Sequence, residues 1–232
     1  MGRKNMKNLT IKNLSVKYNG NSVLDNLNLE VKENEFIVIV GKSGCGKTTL
    51  LNAIAGFIKS RGIIKKPQKI GVVFQNYAVF PWLSVKGNIS FGLENNNKTV
   101  EHYLKMIDLK YKKYNYPFEL SGGQIQRVAI ARALATNPDL ILMDEPFGAL
   151  DVFTRDKMQK WLLDIWKEER KTIVFITHSI EEAMFLADRV LILKDKNIKK
   201  DFKIHLKRPR NESIKFDKKF IDLKKRIINI LN

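Results

Sequence analysis

Residues 41–49 read Gly41-Lys42-Ser43-Gly44-Cys45-Gly46-Lys47-Thr48-Thr49. The apolar run at 36–40 before this stretch predicts a buried strand, and the run at 50–55 after it predicts a helix. Glycines let the backbone curl so that successive N–H groups point into one hollow, and the N-terminus of the following helix adds partial positive charge. The sequence therefore predicts a phosphate loop that binds polyphosphate.

Individual side chains of this loop suit a nucleotide and its metal. We expect Lys47 to reach the β- and γ-phosphates and the Thr48 hydroxyl to hold Mg²⁺. Cys45 is the only cysteine, so an intramolecular disulfide and a cysteine-based metal cluster are excluded. We interpret Cys45 as a small residue that fits the loop rather than as a nucleophile.

The chain has 232 residues and a net charge of +18. Half of that charge lies in residues 194–226, where 14 Lys and Arg outnumber 5 Asp and Glu by 9. We interpret it as a solvated lysine-rich face, with attraction to anionic membrane headgroups as the second reading and nucleic acid as the third. No nucleic-acid partner is expected, because no binding motif accompanies the charge. No stretch approaches the roughly 18 apolar residues that span a bilayer, so the protein is expected in the cytosol.

Apolar periodicity predicts alternating strands and helices along the chain. The predicted strands are residues 9–18, 23–31, 36–40, 70–74, 140–143, 172–177 and 189–193, and the predicted helices are 100–109, 125–135, 152–169, 180–186 and 217–231. This alternation favours a mostly parallel sheet covered by helices. We expect residues 77–93 to form a surface lobe that is mobile or faces a partner. Residues 56–67 are a short basic segment, and Asn34 is expected to take a positive φ in a turn.

An acid pair closes the apolar run at 140–143. Asp144 and Glu145 directly follow that predicted strand. Phosphoryl transfer depends mostly on positioning and electrostatics, so a carboxylate must help to hold the metal and another group must orient the attacking water. We expect Asp144 to act on the metal and Glu145 on the water.

A second glycine-rich helix opening follows the phosphate loop in the chain. It comprises Ser121, Gly122, Gly123 and Gln124, and it forms a second anion-binding helix end. Residues 41–49 already supply a binding site for the phosphates of one ATP. Taken alone, residues 121–124 are equally well interpreted as a flexible helix cap.

The order and spacing of these motifs resemble the nucleotide-binding subunit of an ATP-binding cassette (ABC) transporter. The matching features are the phosphate loop at 41–48, the Q-loop residue Gln75, the signature at 120–124, the strand and acid pair at 140–145, the D-loop at 149–151, the switch histidine His178 and Tyr18, which matches the aromatic residue on which the family stacks adenine. The resemblance implies an α/β fold, the P-loop NTPase fold of ABC ATPases. This fold has a RecA-like, mostly parallel core, a shortened antiparallel β lobe and an α-helical signature subdomain. It further implies one nucleotide-binding domain over residues 1–232, with a helical subdomain at about 76–136 and a C-terminal extension at about 195–232.

The same resemblance implies ATP and Mg²⁺ as cofactors and a second ABC ATPase subunit, expected to be identical, as a partner. Two cassettes would meet head to tail, so that the signature residues Ser121 to Gln124 of one subunit contact the γ-phosphate held by the other. Gln75 would help to ligate Mg²⁺ and sense the permease, and the D-loop residue Asp151 would lie at the nucleotide. Lys47, Glu145 and His178 form the implied catalytic set, in which His178 steadies Glu145 and the water.

Further details resemble importers of the nitrate, sulfonate and taurine group. They are residues 81–85, 88–89, 91–93, 147–151, 154–155 and 208–210. The implied protein is a peripheral subunit on the cytoplasmic side of the membrane, bound to a permease and served indirectly by an extracytoplasmic solute-binding protein. A soluble ABC ATPase acting on nucleic acid or ribosomes, and an export-type cassette, are the alternatives. The short span from Gly56 to Gln75 and the apolar Ile125 after the signature depart from the family pattern.

Overall fold

A computed structural model describes residues 8–93 and 96–231. Its strands are Leu9–Tyr18 (β1), Asn21–Val31 (β2), Phe36–Val40 (β3), Arg61–Lys65 (β4), Ile70–Val73 (β5), Leu140–Asp144 (β6), Thr172–Thr177 (β7), Arg189–Lys194 (β8) and Asn197–Lys203 (β9). Its helices are Lys47–Ala55 (α1), Val85–Ser90 (α2), Asn97–Met106 (α3), Gly122–Ala135 (α4), Val152–Glu169 (α5), Ile180–Leu186 (α6) and Lys218–Leu231 (α7). Short 3₁₀ helices occupy Lys110–Lys112, Pro117–Glu119 and Glu212–Phe216.

The central sheet has six strands in the order β5-β6-β7-β3-β8-β9. The pairs from β5 to β8 are parallel, and only β9 runs antiparallel, along β8. Parallel strands end at the same edge of a sheet. The carboxyl ends of β3, β5, β6 and β7 therefore bring residues 41–49, Gln75, the acid pair and His178 to one edge.

The core consists of two apolar layers, one on each face of this sheet. Along β3, Phe36, Val38 and Val40 point to the layer that contains α4, α5 and α6, whereas Ile37 and Ile39 point to the layer that contains α1 and the second sheet. All five side chains are fully buried. A strand covered on both faces reads as a continuous apolar run, which is the pattern that residues 36–40 show.

The antiparallel lobe is a three-stranded sheet in the order β2-β1-β4. The predicted connection at 56–67 in fact contains β4, whose Ile64 lies opposite Ile11 of β1. Four of the five β4 residues are exposed, so this edge strand lacks the apolar alternation by which strands are recognised. For this reason β4 was not predicted from the sequence.

The structure also differs from the prediction at other elements. Strand β9, which is mostly exposed, was not predicted. Helix α4 begins at Gly122 rather than at Ile125, because Ser121 caps it. The expected surface lobe at 77–93 contains the short helix α2. The predicted positive φ of Asn34 is confirmed at 61°. Among residues 8–93 and 96–231, no helix is both long and apolar enough to cross a membrane.

Candidate active site

The loop between β3 and α1 curls around its own backbone. The Cys45 N–H donates to the Lys42 carbonyl at 3.2 Å, and Gly46 takes a left-handed φ of 103° as the N-cap of α1. No side chain caps this helix. The first N–H groups of α1 are therefore left for a ligand, and an anion is the ligand that a helix N-terminus favours.

Lys47 folds back over this loop. Its Nζ donates to the Gly41 carbonyl at 3.0 Å and to the Lys42 carbonyl at 3.1 Å, and only 6% of the residue is exposed. Among the described residues no carboxylate forms an ion pair with it. A nearly buried ammonium that donates only to loop carbonyls is suited to bind a phosphate oxygen.

The thiol of Cys45 lies inside the same loop. Burial raises the pKa of this thiol, and the nearby Lys47 only partly opposes the effect. Since the thiolate is the nucleophilic form, a raised pKa argues against a reactive cysteine. The structure agrees with the interpretation of Cys45 as a residue that fits the loop.

Gly41 approaches the backbone of a neighbouring strand. A Cβ at this position would lie 2.5 Å from the Leu193 carbonyl oxygen of β8 and 2.5 Å from Cys45 Sγ. We expect Gly41→Ala to lower the free energy of unfolding by about 1–3 kcal/mol and to lower ATP affinity, because the loop must move away from β8. Chemical denaturation and equilibrium ATP binding measure the two effects.

Cys45→Ala is the matched control for this prediction. Alone it should leave the free energy of unfolding within about 1 kcal/mol of the parent, because it removes one sulfur atom from a half-buried side chain. The double variant Gly41→Ala with Cys45→Ala should stay destabilised, because the clash with the Leu193 carbonyl persists. Recovery of parental stability in the double variant would contradict the importance of the backbone contact.

Asp144 and Thr48 form a pair suited to a metal ion. Asp144 is 8% exposed, and its Oδ1 has no hydrogen-bond partner. Burial raises the pKa of its carboxyl group, while a hydrogen bond with Thr48 lowers it. No group of three or more His, Cys, Asp or Glu in the described ranges could hold a metal alone. Mg²⁺ usually takes only one or two carboxylates and completes its shell with phosphates and water, so this pair fits Mg²⁺.

Glu145 and His178 meet at the same edge, from the ends of neighbouring strands. His178 Nδ1 lies 2.9 Å from Glu145 Oε2. The Glu145 backbone has a φ of 42°, which costs about 1–2 kcal/mol for a residue with a Cβ. Its N–H donates to the Ile176 carbonyl of β7 at 3.0 Å and holds this conformation. The Glu145 carboxylate is thereby fixed between the Asp144–Thr48 pair and the exposed imidazole of His178.

The signature residues lie at the start of α4. Ser121 Oγ accepts from the Gln124 N–H, and Gln124 Oε1 accepts from the Ser121 N–H at 3.1 Å, which forms a capping box. A Cβ on Gly123 would lie 2.9 Å from Thr154 Cγ2 of α5. No hydrogen bond in the described part of the chain joins residues 121–124 to residues 41–49.

Comparison with known proteins identifies the family. The ABC transporter family matches residues 24–148, which include the loop, Gln75, the signature and the acid pair. This chain belongs to the ABC transporter family.

Relatives of this ABC cassette cover most of its length. An uncharacterized ABC transporter ATP-binding protein of Methanocaldococcus jannaschii is 45% identical over 96% of this chain and 91% of the relative. The taurine import ATP-binding protein TauB of Escherichia coli O157:H7 is 46% identical over 80% of this chain and 79% of its own.

A solved structure adds evidence for the activity. It is a dimeric post-hydrolysis state of an ATP-binding cassette bound to ADP and phosphate, with 34% identity, a TM-score of 0.73, and coverage of 86% of this chain and 100% of that chain. The protein described here is an ABC ATPase. The ABC fold predicted from the sequence is confirmed.

Three predicted site residues of this ABC cassette lie at the margin of the site. Gln75 is exposed two residues beyond Val73, which lies opposite Met143, so it neighbours Asp144 at the strand ends. Tyr18 is half exposed at the end of β1. Asp151 caps α5 by accepting from the Thr154 N–H at 3.0 Å, and the hydrogen bonds with Thr154 lower the pKa of its carboxyl group.

A buried polar cluster behind His178 was missed in the sequence. It comprises Glu182 and Gln159, which are joined by a hydrogen bond of 3.1 Å. In the sequence Glu182 is only the second acid of the pair 181–182 at the start of a helix. Acids are usual there, so no local signal separates it from its exposed neighbour.

Proposed function

We propose that this ABC ATPase is the energy-coupling subunit of an importer for a small sulfonate-like or related anionic solute. The observation that carries the proposal is the 46% identity to a taurine import subunit over 80% of the chain. The sequence details at 81–85 and 208–210, which resemble the same group of importers, support it. The place of action is the cytoplasmic face of the membrane, beneath a permease.

The proposed chemistry uses the residues at the carboxyl edge of the sheet. Lys47 would exchange its two loop carbonyls for β- and γ-phosphate oxygens, while Tyr18 would stack on adenine. Thr48, Asp144 and Gln75 would hold Mg²⁺, which when bound supplies positive charge to the phosphate oxygens. Glu145 would orient the attacking water, and His178 would hold that carboxylate through the 2.9 Å contact and meet the γ-phosphate.

A second, identical subunit would complete each site. The α4 end at Ser121 is exposed. In a head-to-tail dimer it would face the γ-phosphate bound at residues 41–49 of the other subunit, with Gly122, Gly123 and Gln124 beside it. Similarity to a dimeric cassette supports this arrangement.

The proposed contact with the permease is an aromatic surface, defined as Phe80, Trp82 and Phe91. Trp82 is 69% exposed. The Phe80 ring lies within aromatic contact distance of both the Trp82 ring and the Phe91 ring. The fully buried Asn88 holds the surface: its Oδ1 accepts from the Phe80 N–H at 2.8 Å and its Nδ2 donates to the Leu83 carbonyl at 3.0 Å. Exposed rings on a fixed loop suit a protein interface.

The test is solute-stimulated ATP hydrolysis. The cassette is purified with its permease, reconstituted in lipid, and assayed with the solute-binding protein and either taurine, an alkanesulfonate or nitrate. We expect one of these solutes to raise kcat by about tenfold, because solute delivery favours closure of the cassettes. Equal rates with and without every solute would contradict the solute class that we propose.

Trp82→Ser is the variant that isolates docking in this assay. It should abolish stimulation and weaken recovery of the permease, because it removes an exposed ring from the aromatic surface. The basal ATPase activity of the free cassette should stay within about twofold of the parent, since Trp82 lies outside the nucleotide site. Undiminished stimulation in this variant would show that the permease binds elsewhere.

A further inference from the structure

Glu182 is a carboxylate buried directly behind the switch histidine. Only 5% of the residue is exposed. It accepts a hydrogen bond from Gln159 Nε2 at 3.1 Å and shares a hydrogen bond with the Thr177 side chain. Burial raises the pKa of this carboxyl group, and the nearby Arg155 and His178 oppose the effect.

Burial of the Glu182 carboxylate costs free energy, although α6 needs only an apolar face to pack against the core. An ionised carboxylate loses its hydration on burial, and hydrogen bonds and nearby cations offset only part of that loss. Residues 183–186 of α6 and the following Ala187 are all apolar and fully buried. Packing alone would therefore be served better by an apolar side chain at position 182.

One side of Glu182 leads to the hydrolysis site of its own chain. Thr177 is the last residue of β7, and its Oγ1 accepts from the Ser179 N–H at 3.0 Å, which fixes the turn that carries His178. His178 in turn contacts Glu145 at 2.9 Å. The carboxylate thus supports the turn from behind.

The other side leads to the signature end of the same chain. Arg155, one helical turn before Gln159 on α5, donates from Nη2 to the Leu150 carbonyl at 2.9 Å. A Cβ on Gly122 would lie 3.4 Å from Leu150 Cδ2, so residue 150 packs against the start of α4. Within the described part of the chain the buried Nε of Arg155 has no hydrogen-bond partner, and the positive charge of Arg155 lowers the pKa of the Glu182 carboxyl group.

We propose that Glu182, with Arg155, is a positioning residue that couples the signature end of a subunit to the hydrolysis site of that same subunit. The inference rests on the proposed head-to-tail dimer, in which the signature end touches the partner's ATP. The signature end is then linked through Leu150 to Arg155. The charge of Arg155 acts on Glu182, whose hydrogen bond with Thr177 supports the turn that carries His178. Such a series of interactions carries coupling when its removal changes how one site responds to the other.

The test replaces Glu182 by Gln, which keeps the size of the side chain and removes its charge. We expect kcat to fall by about tenfold with the ATP half-saturation concentration changed by less than about twofold. The Hill coefficient for ATP, expected above 1 in the parent, should fall to about 1. Thermal melting should shift only slightly, because the amide oxygen still accepts from Gln159 and Thr177.

Glu181→Gln is the matched control. Glu181 is the preceding residue on α6, but its carboxylate is exposed and pairs with Lys224 of α7. This variant loses the same charge and should keep the parental kcat and Hill coefficient. Equal behaviour of the two variants, or a parent with a Hill coefficient of 1, would overturn the inference.

Arg155→Gln completes the experiment as a double-mutant cycle. If the two residues act as one unit, the variant with both changes should lose no more kcat than the more severe single variant. Multiplicative losses would contradict the unit. Glu145→Gln is assayed in parallel: parental hydrolysis in that variant contradicts the proposed role of Glu145 in the hydrolysis site, whereas its inactivity beside a parental Glu182→Gln contradicts only the role of Glu182.

Discussion

Glu145→Gln should lower kcat for ATP hydrolysis by about 10³-fold and leave ATP affinity within about twofold of the parent. The amide keeps the size of the carboxylate but cannot accept the proton of the attacking water. Binding should survive because Lys47, Thr48 and Asp144 remain. Phosphate release measures kcat, and equilibrium binding of labelled ATP measures affinity.

A second measurement distinguishes a chemical defect from a folding defect in this variant. With hydrolysis blocked, MgATP should hold two subunits together, so size-exclusion chromatography should show a dimer with ATP and a monomer without it. Glu181→Gln serves again as the control and should hydrolyse ATP normally and form no trapped dimer. Parental hydrolysis by Glu145→Gln would show that another group orients the water.

Mixing two inactive variants should restore ATP hydrolysis if the sites are shared between subunits. Lys47→Ala removes the phosphate ligand, and Ser121→Asp puts a negative charge at the signature end while keeping a good helix cap. Each variant alone should lose at least about 10²-fold in kcat, because both sites of its dimer carry the defect. A mixed dimer pairs one intact loop with one intact signature and regains one complete site.

The recovered rate has a defined upper value. Random pairing at equal concentrations makes about half of the dimers mixed, each with one intact site of two, so the mixture should reach about a quarter of the parental rate. The control mixture combines Lys47→Ala with Glu145→Gln. Lys47 and Glu145 both act on the ATP that is bound by their own chain. Each site of a mixed dimer therefore carries one of the two defects, and no activity should return. Failure of the first mixture would contradict head-to-tail sharing.

Several elements could be predicted because local chemistry alone specifies them. The strand at 36–40 and the helix at 152–169 match β3 and α5 to the residue. Both have long apolar patterns, and Asp151 supplies the cap for α5. By contrast, β4 and β9 are mostly exposed edge strands with several basic residues, and apolar periodicity does not reveal a strand that has only one partly buried face.

The sequence by itself determined the phosphate loop, since glycines, a lysine and a threonine between an apolar strand and a helix leave few other structures. It also placed an acid pair at a strand end. Only the tertiary structure decided which distant residues meet: the strand order β6-β7-β3 brings Glu145 to His178, and the packing of α5 on α6 brings Gln159 and Arg155 to the buried Glu182. The phosphate loop and the helix ends follow from local propensity. These contacts follow from the strand order and from the packing of the helices on the sheet, and no local sequence pattern encodes either of them.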